Sequence, residues 1–148
     1  MSCFCNFLDY LKIRVTLATC AANRNSSYVK NMSIISCSVL TISDTRTLAD
    51  DKSGDLLSQY ISDAGHELYE RAIVKDDIYA IRARVSQWIS MPEVNVVITT
   101  GGTGFTGRDS TPEALKPLFD KHIEGFGELF RQISFEEIGT STIQSRAV

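Results

Sequence analysis

The feature that most constrains the fold lies at residues 94–109. Residues 94–99 (V-N-V-V-I-T) form a short, nearly continuous β-branched run, the pattern of an interior strand covered on both faces, as in a parallel sheet. The run passes straight into Thr100, Gly101, Gly102, Thr103, Gly104, Phe105, Thr106 and Gly107. Glycines at this density let the backbone approach a ligand and turn its N–H groups inward, and such a concavity favours anions. Ser110-Thr111-Pro112-Glu113 follows; it offers a capping box from Ser110 to Glu113 with proline in the first turn, so a helix starts at Ser110 or Thr111.

The rest of the chain alternates in the same way. Residues 33–43 read as a first strand buried in a parallel sheet and closed by Asp44. Ser53 is a candidate N-cap for a helix carrying Leu56, Leu57, Tyr60, Ile61 and Ala64, stopped by Gly65. Residues 66–74 read as a second strand. Ile78, Ile81, Val85, Trp88 and Ile89 put one apolar face on a helix over residues 77–90. A last helix spans residues 125–138, with Phe126, Leu129, Phe130 and Ile133 on its apolar face. Strands and helices alternating with short connections predict a three-layer α/β/α sandwich around a mostly parallel sheet. Ligands of such sheets lie outside the carboxyl ends of the strands, where strand order reverses, and Asp44, Asp76 and Asp109 all follow predicted strand ends.

The loop has several readings. Gly102, Gly104 and Gly107 satisfy a literal G-x-G-x-x-G, so a dinucleotide-binding dehydrogenase stays open; against it, Arg108-Asp109 and a proline-containing helix start intervene where that motif opens its helix at once. A P-loop is disfavoured, because Arg108-Asp109 stands where Lys-Ser or Lys-Thr belongs. The glycines could also serve only a tight turn. Phe105 is either a lid residue or a packing anchor. An aspartate beside an anion cradle repels the ligand unless a cation bridges them, which makes Asp109 with Asp76 a candidate Mg²⁺ site. Asp76 is equally well placed as a helix N-cap.

Composition narrows the function classes. The 148 residues are 43% hydrophobic, enough for one core. The formal charge is −3, with four of the basic residues and only Asp9 among the acids in residues 1–31. The net-acidic body lacks the basic stripe by which nucleic-acid binders release counterions. No apolar run approaches the roughly 18 residues of a membrane span, so neither nucleic acid nor membrane is expected as a partner. Cys3, Cys5, Cys20 and Cys37 show no zinc-ligand spacing and read as free thiols in a reducing compartment. His66 and His122 read as surface or capping residues. Residues 1–31 are read as a disordered extension, either an organellar transit peptide or a leader translated ahead of Met32.

The segment V-V-I-T-T-G-G-T-G-F-T-G-R-D-S-T-P-E-A at residues 96–114 closely resembles the signature of the MoaB/MogA family of molybdenum cofactor biosynthesis. L-T-I-S-D at 40–44, D-K-S-G at 51–54, I-V-K-D at 73–76, G-F-G-E-L-F-R at 125–131 and S-F-E-E-I-G-T-S-T-I-Q-S-R at 134–146 resemble it too, in the same order and of the MoaB type. The resemblance implies a molybdopterin-binding domain over residues 32–148, assembled as a homotrimer or homohexamer in the cytoplasm. The implied reaction is adenylyl transfer from Mg-ATP, or its GTP counterpart, to the phosphate of molybdopterin, releasing pyrophosphate; the alternative is a non-catalytic molybdopterin-binding or carrier protein. By position, Asp76 and Asp109 correspond to the family's two important aspartates and to its Mg²⁺ site. Ser43, Thr100, Gly101, Gly102, Thr103 and Gly104 correspond to the pterin-phosphate and nucleotide cradle, and Ser141 and Ser145 to polar groups near the pterin. Family members continue past S-R-A-V into another strand and a Pro-Gly-x-x-Lys loop, so the expectation is a domain lacking its C-terminal strand and helix, with an exposed sheet edge.

Overall fold

The computed structural model describes residues 34–148; the expectations for residues 1–31, Met32 and three of the four cysteines lie outside them. Three strands, β1 (Ser36–Ile42), β2 (Glu67–Val74) and β3 (Val96–Thr100), form one parallel sheet in the order β2-β1-β3. Helices α1 (Lys52–Asp63) and α2 (Ile78–Ile89) make the two crossovers, and α3 (Thr111–Leu115) follows the glycine loop. A 3₁₀ turn (Lys116–Leu118), helix α4 (Phe126–Ile138) and a 3₁₀ segment (Gly139–Gln144) complete the chain. The chain steps from β1 to one side and then crosses to the other, so strand order reverses between the carboxyl ends of β1 and β3.

Alternation along β1 builds the layers. Cys37 and Val39 meet Leu57 and Ile61 of α1, whereas Leu40 and Ile42 meet Ile81, Val85 and Trp88 of α2 and Ala114 and Leu115 of α3. A strand buried on both faces needs apolar residues at both parities, which is why the I-S-C-S-V-L-T-I run serves as the central strand. The result is the three-layer α/β/α sandwich expected. Ile81 has no exposed surface. Removing one methylene by Ile81→Val is expected to cost about 0.5–1.5 kcal/mol, seen as a fall of a few degrees in the thermal midpoint.

Three local expectations change. α1 is capped by Asp51, whose side chain accepts from the Gly54 N–H, and not by Ser53. α2 is capped by Asp77, which accepts from the Ala80 N–H, leaving Asp76 free for another role. β3, read as an interior strand, is the edge of the described sheet, and Val96 is 39% exposed. A cavity of about 620 Å³ runs along it, with Leu57, Trp88, Leu115 and Phe130 among its walls. Its apolar walls explain why a β-branched run reads as interior at a sheet edge.

Candidate functional site

The site sits at the carboxyl ends of β1 and β3. Gly101 and Gly102 both have positive φ, at 101° and 60°, a conformation that carries no Cβ penalty only for glycine. Gly102 is also sterically confined: a Cβ there would lie 2.6 Å from Asp76 Oδ2 and closer still to Thr111 Oγ1. Thr111 holds the turn from the other side. Its hydroxyl donates to the Gly101 carbonyl at 2.9 Å, and its N–H donates to the Gly102 carbonyl at 3.0 Å.

Asp76 is pinned across the loop. Its Oδ1 accepts from the Ser110 hydroxyl at 2.6 Å and from the Ser110 N–H at 3.1 Å, and its own N–H donates to Asp44 Oδ1 at 3.2 Å. The capping box expected from Ser110 to Glu113 therefore does not form. The α3 cap makes no side-chain hydrogen bond within the helix, because Asp76 takes the Ser110 N–H that Glu113 would have received, and Glu113 instead pairs with Arg146. Asp76 is thus a cap in trans for the loop and not the cap of its own helix.

Asp109 turns back into the loop, where Oδ2 accepts from the Thr106 N–H at 2.9 Å and from the Thr106 hydroxyl at 2.5 Å. These bonds, with smaller help from Gly104 and Arg146, hold its carboxyl below the usual carboxylate value, so it is ionised at neutral pH. Arg108 lies exposed with its guanidinium 4.0 Å from Asp44. Ser43 Oγ accepts from the Arg46 N–H at 3.2 Å, which starts the turn beyond β1. Thr100 is buried at the end of β3.

The remaining sequence candidates separate. Ser145 lines the β3 cavity together with Thr103, and its carbonyl accepts from Arg131 at 3.1 Å. Ser141 is exposed on the 3₁₀ segment, and no hydrogen bond ties it to the loop among the described residues. The residue that the motif reading passed over is Arg146. Its Nε donates to the Thr103 carbonyl at 3.2 Å, Nη2 donates to the Asp109 carbonyl at 2.6 Å, and Nη1 pairs with Glu113. Only tertiary folding brings it 43 positions back to the loop.

A doubly wound α/β domain with a glycine loop gripped by two aspartates at its switch point is the class that fold and site define. A family model described as a probable molybdopterin binding domain matches residues 38–148. Molybdenum cofactor biosynthesis protein B of Escherichia coli (strain K12) is 58% identical over 110 residues, covering 74% of this chain and 65% of that protein. The crystal structure of a molybdenum cofactor biosynthesis protein B superposes with a TM-score of 0.76 at 49% identity, covering 80% of this chain and 74% of that one. A tungsten cofactor synthesizing protein MoaB from Pyrococcus furiosus gives 0.69 at 38% identity, covering 78% and 72%. The chain belongs to the molybdopterin-binding domain family. It spans just under two thirds of the E. coli relative's length.

Proposed function

We propose that the chain acts in molybdenum cofactor biosynthesis, binding molybdopterin by its phosphate in the Thr100–Gly104 loop and adenylylating that phosphate with Mg-ATP. The observation that carries this reading is Gly102, held at positive φ between Asp76 and Thr111. Gly102 thereby brings the loop backbone against the Asp76 carboxylate, where a bridging Mg²⁺ would let a phosphate approach the loop. The similarity to molybdenum cofactor biosynthesis protein B of E. coli supports the pathway.

In the proposed step a phosphate oxygen of molybdopterin attacks the α-phosphorus of ATP. A new P–O–P link forms, and the bond to the bridging oxygen of pyrophosphate breaks. The loop N–H groups orient the attacking phosphate, and positioning supplies most of the rate. Asp76 Oδ2, which accepts no hydrogen bond among the described residues, and the ionised Asp109 are the oxygen donors that would hold Mg²⁺. No group of three or more His, Cys, Asp or Glu side chains gathers for a metal among the described residues. Two carboxylates still suit Mg²⁺, which takes one or two of them and completes its shell with substrate phosphates and water. Bound there, the ion would neutralise charge on the α-phosphate and the leaving pyrophosphate.

A second reading, a molybdopterin carrier without chemistry, is favoured by one observation: Asp76 and Asp109 each already serve a structural hydrogen bond. Pyrophosphate release from molybdopterin and Mg-ATP decides between them. Release that stops with EDTA and falls at least tenfold in Asp109→Asn, with molybdopterin still bound, is the expected result. Binding without release, unaffected by Asp109→Asn, identifies a carrier. GTP in place of ATP sets the nucleotide preference, and sedimentation tests the proposed homotrimer or homohexamer. No helix among the described residues is long and apolar enough to cross a membrane, and a cytoplasmic location is part of the proposal.

A further inference from the structure

The ring of Phe105 is 67% exposed at the tip of the glycine loop. Exposing a phenyl ring forgoes the burial that usually drives it inward. The Arg146 guanidinium stands 5.5 Å from the ring centroid and is held there by the Thr103 and Asp109 carbonyls and by Glu113. The ring therefore packs against a fixed cation, and most of its surface stays open on the glycine loop.

We infer that Phe105, backed by Arg146, is the platform on which the planar nitrogen heterocycle of the phosphate-bearing ligand stacks. Aromatic faces accept flat heterocycles whatever their edge pattern, so a purine of the nucleotide and a pterin share the chemistry. The cradle selects the phosphate, and Phe105 selects for a ring attached to it. This inference rests on the ligand class proposed above.

The test measures affinities of Mg-ATP, neopterin monophosphate and inorganic tripolyphosphate for the wild-type chain, Phe105→Leu and Phe105→Tyr. Phe105→Leu is expected to weaken whichever ring-bearing ligand uses the platform by about five- to a hundredfold. Tripolyphosphate should bind as before, and Phe105→Tyr should stay within about twofold of wild type on every ligand. Loss for ATP alone assigns the platform to the nucleotide, and loss for neopterin monophosphate alone assigns it to the pterin. Unchanged affinities for both in Phe105→Leu overturn the inference and leave the proposed function standing. Equal loss for tripolyphosphate overturns it too, because the residue then shapes the loop and not the ring site. A fall in sedimenting mass with unchanged ligand affinity also overturns it, placing the ring against a second copy. If the wild-type chain binds none of the three, the proposed function itself fails.

Discussion

Gly102→Ala is expected to lower pyrophosphate release in the proposed adenylyl transfer a hundredfold or more while leaving the chain folded. A β-carbon at φ near +60° costs roughly 1–2 kcal/mol in its own right, and this one would also meet two groups that cannot yield cheaply. Asp76 is tied by both the N–H and the hydroxyl of Ser110, and Thr111 by the carbonyls of Gly101 and Gly102. Either neighbour moves only by surrendering those bonds, so the loop itself must shift. Displacement of a reacting group by about 1 Å costs on the order of a hundredfold in rate. The loop lies at the rim of the sheet, away from the Leu40, Ile81 and Trp88 core, so the thermal midpoint should fall by only a few degrees. Gly107 is the internal control: nothing lies within 4 Å of a Cβ there and its φ is not positive. Gly107→Ala should keep its activity, and equal turnover in both variants would refute the confinement argument.

Asp51→Ala is expected to be the most destabilising single change at the carboxyl edge, by about 3–5 kcal/mol. The residue is 0% exposed and accepts from the Thr41 hydroxyl at 2.6 Å, the Gly54 N–H at 3.1 Å and Arg71 Nη2 at 3.0 Å. Truncation removes the α1 cap, orphans a buried hydroxyl and takes a partner from a guanidinium whose Nε already lacks one. Gly54 belongs to the same device, since a Cβ at that position would fall on the Asp51 carboxylate and the Arg71 guanidinium. Asp51→Asn keeps one carbonyl oxygen for the Gly54 N–H and turns an amide NH2 toward the Thr41 hydroxyl, which can accept from it, but loses the charge and the acceptor of Arg71 Nη2, so a smaller loss of about 1.5–3 kcal/mol is expected.

The charge also sets a pH signature. Burial raises the Asp51 carboxyl, but the bonds from Thr41, Gly54 and Arg71 outweigh it and hold the group below its ordinary value. A depressed folded-state pKa contributes stability that is present above the unfolded value of about 3.9 and is lost as pH falls through the lower folded value. Thermal midpoints of wild type and Asp51→Asn should therefore differ most near neutrality and converge below about pH 4. A gap that stays constant down to pH 2 would mean that the carboxylate charge is not what stabilises this corner.

Much of this molecule is legible from residue order. The both-parity apolar pattern of residues 36–42 selects a buried parallel strand, Ile81, Val85 and Trp88 mark one buried helix face, and the glycines from 101 onward mark the loop that follows β3. These are local properties, set by side-chain period and by backbone sterics within a few positions. The partners of polar groups are not local. Ser110 and Glu113 spell a capping box, yet Asp76 is 34 positions from Ser110 and Arg146 is 33 from Glu113, and each captures its residue from outside the helix. D-K-S-G reads as a helix start without indicating that its aspartate is buried against Arg71 of the next strand.

The sequence by itself therefore determined the strands and principal helices, the layer order and the place of the glycine loop, because periodicity and turn chemistry act within one element. Only the tertiary structure decided what Asp51, Asp76, Glu113 and Arg146 do. A carboxylate or guanidinium has several donors or acceptors within reach of its own segment, and the choice among them depends on which distant element folding brings alongside. For Asp76 and Arg146 that choice, added to the local turn that Asp109 makes with Thr106, produced a loop gripped from three directions.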